Sequence, residues 1–370
     1  MSSIRIAGRE IGPDQPPYVI AEISANHRGS LAAAVELVHA AAESGADAVK
    51  LQHYTPDTIT VRSEHPDFLV TGGTLWDGRQ LADLYAEAMT PWEWHPRLMA
   101  RAGELGLHCF STPYDASAVD FLETLDVPAH KIASFELVDL PLLRKVASTG
   151  KPVILSTGMA TLDEVGEALG VLAFGYLRQG QPADRSDLLD ALGDPRASEV
   201  LKRRVTLLHC TSEYPCPLDQ VNLRAMDSLA DRFGLAVGYS DHTLGIQVSV
   251  AAAARGACVL EKHFTLDRRL PGPDHAASLE PGELAALVRA VREVSQALGQ
   301  AEKAPAATEI RNAAVVRKSL VAARAISAGE PFSSANLTAK RPGIGRSPMD
   351  SWELFGTCSS RDYAADEAIE

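Results

Sequence analysis

"GYSDHTLGIQVSVAAAARGACVLEKHFTLD", residues 238–267, holds two short apolar runs on either side of an alanine-rich stretch. The runs are "AVGYSD" (236–241), which opens just upstream, and "CVLEKHF" (258–264). Short β-rich segments flanking a helix-forming spacer read as strand, helix, strand, the unit that builds parallel sheets. Both strand ends finish on histidine, His242 and His263. Each has acidic company, Asp241 beside the first and Glu261 two residues before the second. Two imidazoles with nearby carboxylates suit a divalent ion. Two unrelated loop or core histidines are the other reading, and spacing leaves both open.

The same alternation runs through the first 300 residues. Strand-like runs lie at 18–24, 48–54, 108–113, 130–134, 152–157, 205–210, 236–241 and 258–264. They are apolar on both faces, as parallel strands covered by helices must be. Amphipathic stretches such as "SLAAAVELVHAAAESG" and "NLRAMDSLADRFG" separate them, and "EPGELAALVRAVREVSQALG" follows the last. Eight such units predict an α/β fold of the TIM (β/α)8 barrel type. An open doubly wound sheet is the alternative, weakened by the lack of a Gly-rich loop after the first strand. Near residue 300 the texture changes to Gly-Pro turns and Ser/Thr clusters. The expected division is a barrel over 1–300, a linker over 301–316 and a small β-rich domain over 317–370. Two connections are long. Residues 55–90, with "TGGTLWDGRQ", are placed to shape a pocket. Residues 177–204 read as a polar surface insertion.

The chain has 370 residues, 46% of them apolar, and a net charge of −13. This acidity argues against nucleic acid or an anionic membrane as partner. It leaves room for a small anionic substrate bound by local lysines. Five cysteines without CxxC spacing argue against a disulfide framework or structural zinc. The first residues lack a signal-peptide apolar core, and no run is long enough to span a membrane, so a cytoplasmic location is expected.

In a barrel, chemistry gathers where strands end at the C-terminal face. The residues ending these runs include Glu22, Lys50, Gln52, Thr112, Lys131, Ser134, Glu136, Ser156, Ser212, Tyr214, Ser240, His242, Glu261 and His263. Lysines and hydroxyls converging on one end describe a cradle for phosphate or carboxylate. Each single Ser or Thr also reads as a strand-end cap, and each lysine as a salt-bridged one. Yet a lysine inside an apolar run needs an anionic partner. Glu22, within an apolar strand, is either an acid–base group of raised pKa or a core carboxylate paired with Lys50 or Lys131. His27 and His209 are further candidates that nothing local separates from structural histidines.

The ordered motifs "IAEISANHRGSL", "AVKLQ", "FSTPYD", "KIASFE", "ILSTGMATLDEV", "LLHCTSEYPCP", "GYSDHTLG", "EKHFTLD" and "PGPDHAASLEP" resemble the sialic acid (nonulosonic acid) synthase family. The segment "SLVAARAISAGEPF…LTAKRPGIG" resembles the antifreeze-like (SAF) domain that such synthases carry. The resemblance implies a cytoplasmic transferase that condenses phosphoenolpyruvate with an N-acylated amino sugar, with C–O cleavage and release of phosphate. It implies that His242 and His263 hold a divalent ion, manganese first, with magnesium or cobalt as substitutes. It matches Lys50, Thr112, Lys131, Ser134, Ser156 and Ser240 to the phosphate and carboxylate of phosphoenolpyruvate. Ser212 stands where some members carry Asn. Glu22, Gln52, Glu136, Tyr214 and Asp274 match residues facing the sugar or the reacting centre, with Glu22 the expected proton carrier. Arg341 in "KRPG" matches an arginine sent into a partner's active site, which implies a domain-swapped homodimer. "FGTCSSRD" (355–362) departs from the many relatives with Lys after the Gly.

"MTPWEWHPRL" and "AEISANH" look most like pseudaminic acid synthases, acting on 2,4-diacetamido-2,4,6-trideoxy-L-altrose. "LPGPDHAASLEP" looks like N-acetylneuraminate and legionaminate synthases, acting on N-acetylmannosamine or its 2,4-diacetamido-6-deoxy analogue. Pseudaminate synthase is the leading expectation. A metal-dependent barrel hydrolase or aldolase would share the histidine pair without needing the lysines. An ice- or glycan-adsorbing protein would leave the polar strand ends without purpose.

Overall fold

The computed structural model describes residues 2–70 and 78–370. They form two compact units that divide at Gly299 and Gln300.

In the first unit, β1 (Ile4–Ile6) and β2 (Arg9–Ile11) form an antiparallel hairpin. Its turn, Ala7-Gly8, has positive φ at both residues, the geometry of a two-residue primed turn. Eight parallel strands follow: β3 (Tyr18–Glu22), β4 (Ala48–His53), β5 (His108–Pro113), β6 (His130–Ile132), β7 (Val153–Ser156), β8 (Val205–Cys210), β9 (Ala236–Asp241) and β10 (Val259–His263). They close in chain order, β10 pairing with β3. The barrel reading holds, and each strand lies within the run expected for it. The run at 130–134 gives the shortest strand of the barrel. Its strand ends at Ile132, and Ser134 caps a 3-10 turn over Phe135–Val138.

Side chains alternate across each strand. Val19, Ala21, Val49, Leu51, Val153 and Leu155 face the surrounding helices and join the main core. Tyr18, Ile20, Ala48, Phe110, Ala129, Ile154, Leu208, Ala236 and Val259 face inward. Ile4, Ile6 and Ile11 of the hairpin belong to that same inner cluster, so the hairpin plugs the floor. Gly238 sits where space runs out, since a Cβ there would come within 2.4 Å of the Val259 carbonyl. Two residues further along six of the strands the inward side chains turn polar, at Glu22, Lys50, Thr112, Lys131, Ser156 and Glu261, and on β9 the change comes at Ser240, four residues after Ala236. Strand parity thus sets a dry floor beneath a polar layer.

The stretch 177–204 is more structured than a surface insertion. Helices Arg185–Gly193 and Ala197–Arg204 bury Leu188, Ala191, Ala197 and Leu201 in the main core. Their short apolar stripes are diluted by charge, which hides them from a composition reading. No helix among the described residues is long and apolar enough to cross a membrane.

The second unit carries a helix, Ala307–Val316, within the stretch read as linker. Beyond it β11 (Ser319–Ala322) and β12 (Leu337–Lys340) pair antiparallel. Isolated bridges such as Ile326 with Tyr363 and Pro331 with Cys358 complete a β-rich module around Leu320, Phe332, Leu337, Leu354 and Ile369.

Candidate active site

The mouth of the barrel opens into a cavity of about 220 Å³. Its floor is an ionic network. Lys50 Nζ lies 2.9 Å from Glu22 Oε2 and 3.0 Å from Glu261 Oε1. Glu22 and Lys50 are register partners on β3 and β4, so the strands deliver that contact directly. Lys131 Nζ stands 3.6 Å from Glu261 and donates to Ser156 Oγ at 2.8 Å. Ser240 Oγ donates to Glu261 Oε1 at 3.2 Å. Burial opposes ionisation of Glu261, but Lys131 and Lys50 outweigh it and hold its carboxyl at about 2. Burial, with the charge of Lys131, lowers Lys50 to about 8 against the pull of Glu261.

Beside this network lies a hydroxyl cradle. Gly158 N–H donates to Ser134 Oγ at 3.1 Å. A Cβ at Gly158 would lie 2.5 Å from Ser212 Oγ and 2.7 Å from Ser134 Oγ. Two hydroxyls and a backbone amide therefore share a space that only glycine leaves open. Ser212 Oγ, Thr112 Oγ1, Glu261 Oε2 and His263 Nδ1 are buried without a hydrogen-bond partner. Buried polar atoms in native proteins are nearly all paired, so such a gathering marks a ligand site.

Neighbouring β9 and β10 bring the two histidines together, with ring centroids 5.4 Å apart. Tyr214 packs on His242 at 4.0 Å and edge-on to His263 at 5.6 Å. His242 Nδ1 donates to the Thr211 carbonyl at 2.8 Å, which leaves Nε2 as the lone-pair nitrogen. Burial lowers the pKa of His263, opposed by Asp274, whose Oδ2 lies 3.9 Å from Nδ1. Asp274 also accepts from Ser24. On the far side of the sheet a buried pair steadies the loop carrying His242. Lys262 Nζ lies 3.0 Å from Asp241 Oδ2, and Asp241 Oδ1 accepts from Thr243 N and Oγ1 at 2.8 Å.

Residues 37–303 match the NeuB family, and residues 317–369 match the SAF domain. The chain belongs to the NeuB family. It is an enzyme, a transferase of the nonulosonic acid synthase type. The N,N'-diacetyllegionaminic acid synthase of Campylobacter jejuni is 42% identical over 352 residues, 95% of this chain and 98% of that protein. The pseudaminic acid synthase of the same species is 38% identical over 357 residues, 96% of each chain. The N-acetylneuraminic acid synthetase of Leptospira borgpetersenii, solved with citrate, superposes with a TM-score of 0.70 and 30% identity, over 84% of this chain and 95% of that one.

In this NeuB-family barrel Lys50, Gln52, Lys131, Ser134, Ser156, Tyr214, Ser240, His242, His263 and Asp274 line the cavity together. Glu22, Thr112, Glu136 and Ser212 are not among its lining residues. Glu22 and Thr112 are fully buried beside their register partners Lys50 and Gln52, and Glu22 is ion-paired with Lys50 and accepts from Gln52 Nε2 at 3.3 Å. Glu136 has a buried oxygen without a partner, and burial raises its pKa to about 7. His27 and His209 lie elsewhere. His27 meets Thr90 Oγ1 at 3.1 Å and Trp94 edge-on, while His209 meets the Val221 carbonyl at 2.7 Å. Arg341 is exposed in the second unit. Of segment 55–90, Leu84, Tyr85 and Ala88 line the cavity, while residues 71–77, most of "TGGTLWDGRQ", lie outside the described residues. Sequence reading missed Gly158, whose role depends on what faces it, and Cys210, Tyr54 and Tyr114, which only the closed ring brings to the mouth.

No cluster of three or more His, Cys, Asp or Glu side chains forms a metal cage among the described residues. The donor set still fits an ion held by two imidazoles with open positions. His242 has its tautomer set by a carbonyl behind it, and His263 Nδ1 is buried and unpartnered.

Proposed function

We propose that the chain condenses phosphoenolpyruvate with a 2,4-diacetamido-2,4,6-trideoxyhexose, giving a nonulosonic acid and phosphate. The observation that carries this reading is the meeting of Lys50, Lys131 and unpartnered hydroxyls with a histidine pair at one barrel mouth. Pseudaminate synthesis, from the altro sugar, is the leading assignment. The 42% identity to a diacetyllegionaminic acid synthase favours the manno sugar as the second reading.

Lys131, Ser134, Ser156 and Ser212 hold the phosphate, with the Gly158 amide fixing Ser134 Oγ. Lys50 and Ser240 take the carboxylate. Glu22 and Glu261 offset the two lysine charges, so hydroxyl dipoles carry much of the anion recognition. Glu22 keeps Lys50 and Gln52 in place, and the buried, unpartnered Thr112 hydroxyl adds a further donor to the cradle. The sugar lies over Gln52, Tyr214 and Asp274. A divalent ion held by His242 and His263, manganese or in its place magnesium or cobalt, would supply Lewis-acid polarisation of the sugar carbonyl.

C3 of phosphoenolpyruvate forms the new bond to the sugar carbonyl carbon. Water adds at C2, and the C2–O bond to phosphate breaks. Glu136 is the group proposed to take the water proton, since one of its carboxyl oxygens is unpartnered and burial raises its pKa to about 7, while Glu22 is engaged with Lys50. Orientation of two substrates in one rigid mouth contributes much of the acceleration.

The active unit is proposed to be a domain-swapped homodimer in which Arg341 of one copy serves the barrel of the other. Both units expose apolar side chains suited to such burial: Phe135, Val138, Met159, Leu218 and Leu244 on loops at the mouth, and Ile344, Met349 and Trp352 near Arg341.

The test uses phosphoenolpyruvate labelled with oxygen-18 at the bridging position and the two acceptor sugars in parallel. Labelled phosphate released only when a sugar is present is expected. Phosphate released with water alone would favour the hydrolase reading, and label retained in the sugar product would rule out C–O cleavage.

A further inference from the structure

One wall of the cavity differs in chemistry from its ionic floor. Tyr54, after β4, meets Tyr114, after β5, edge-on at 5.2 Å, and Tyr85 edge-on at 5.8 Å. Tyr85 belongs to helix Leu81–Ala88, whose Leu84 and Ala88 also line the cavity. Residues 84 and 88 are one turn apart, so they present one apolar stripe. Tyr54 accepts from Trp92 Nε1 only through its backbone carbonyl, and no hydrogen bond reaches any of the three phenol hydroxyls among the described residues. Burial, reinforced by nearby acidic groups, raises the pKa of all three, so each is a standing O–H donor. Glu136 is the carboxyl that faces Tyr85 and Tyr114. A wall of ring faces and aliphatic carbon, edged by unspent donors, suits a ligand surface that alternates methyl groups with carbonyl oxygens.

We propose that Tyr54, Tyr85 and Tyr114, with Leu84 and Ala88, form the subsite that reads the deoxy carbon and the second acylamino group of the acceptor sugar. The phenols donate to the acylamino carbonyl, and the aliphatic stripe packs on the methyl groups. A hydroxymethyl in place of the deoxy carbon would bring a hydroxyl against that stripe, where its hydrogen bonds to water are lost. This inference rests on the condensation reading above and adds which atoms of the sugar are selected. An apolar wall of this kind discriminates by about 100-fold at most between a methyl-bearing sugar and its hydroxylated counterpart.

The experiment measures phosphate release by the full-length enzyme with the altro and manno 2,4-diacetamido-2,4,6-trideoxyhexoses and with N-acetylmannosamine. Wild type is expected to favour a diacetamido sugar by about 100-fold in kcat/KM. Tyr85→Phe and Tyr114→Phe, which keep the rings, should each lower that preference about fivefold, the worth of one neutral hydrogen bond. Leu84→Gln should lower it about tenfold. Melting temperatures identify any variant that fails to fold, and the two Phe variants keep the subsite testable if Leu84→Gln is one. Wild-type preference for N-acetylmannosamine, or an unchanged preference in both Phe variants, overturns the subsite while leaving the synthase reading intact. Absence of phosphate release by wild type with all three sugars overturns the synthase reading itself.

Discussion

Gly158→Ala adds one methyl group where it meets the two hydroxyls of the cradle. The new Cβ would lie 2.5 Å from Ser212 Oγ and 2.7 Å from Ser134 Oγ, with Ser134 Cβ at 3.1 Å. Real carbon–oxygen contacts do not close to that range, so something must move. Gly158 has no positive φ, so its backbone accepts alanine without strain. The cheapest response is rotation of both serine hydroxyls to other staggered positions. Folding stability should therefore fall by only about 1 kcal/mol, the cost of lost hydroxyl contacts. The cradle loses much more. Two hydroxyls donating to a charged phosphate contribute about 1.5–3 kcal/mol each, so their withdrawal should cost about 3–6 kcal/mol of transition-state binding. That is a drop of about 10²- to 10⁴-fold in kcat/KM for phosphoenolpyruvate. The assay is steady-state phosphate release, varying phosphoenolpyruvate at saturating sugar, beside urea unfolding of the same protein. A value within threefold of wild type would remove Ser134, Ser212 and Gly158 from the phosphate site. A stability loss of several kcal/mol would refute the rotation argument instead.

Burial and Lys131 hold Lys50 at about 8, so its charge disappears as pH rises through that value. kcat/KM for phosphoenolpyruvate should then decline about tenfold per pH unit above about 8, and a flat profile to pH 10 would contradict the role given to Lys50. Glu136 has a folded pKa near 7, above its unfolded value, so the folded state binds the extra proton and stability is lost as pH rises between about 4.5 and 7. Glu136→Gln removes that loss, and its stability relative to wild type should improve by about 2–3 kcal/mol between pH 5 and pH 8 in urea unfolding; an unchanged difference would show the carboxyl is not desolvated. Lys262→Met leaves Asp241 as an unpaired buried charge and should cost about 3–5 kcal/mol, most of it recovered in Lys262→Met/Asp241→Asn. Simple additivity in that double-mutant cycle would mean the pair is not coupled.

The eight strands were legible because each is a short apolar run bounded by turn residues, and the repeat of strand and helix allows few topologies. The polar layer was legible too. A lysine within "AVKLQ" or "HKIAS" has no comfortable place in a core, so an anionic partner was expected, and Glu22 and Glu261 are those partners. Less was readable wherever a residue matters through what faces it from another strand. Glu22 was readable either as a proton carrier or as a carboxylate paired with a lysine, and only pairing of β3 with β4 showed that Lys50 stands against it. Glu136 was expected to face the sugar or the reacting centre, but the burial that raises its pKa could not be read from its neighbours in sequence. The hairpin at 4–11 was not read as strands, since three-residue strands carry little periodicity.

Sequence alone determined the strand–helix alternation, the polar residues that end most of the strands, and the family to which the chain belongs. These are local properties or the sum of many local matches. Tertiary structure decided which carboxylate is spent on a lysine and which stays near neutrality, why Gly158 must lack a side chain, and how two histidines on β9 and β10 come to face one another. Each of those depends on distances of a few ångströms between residues far apart in the chain, and only closure of the barrel sets them.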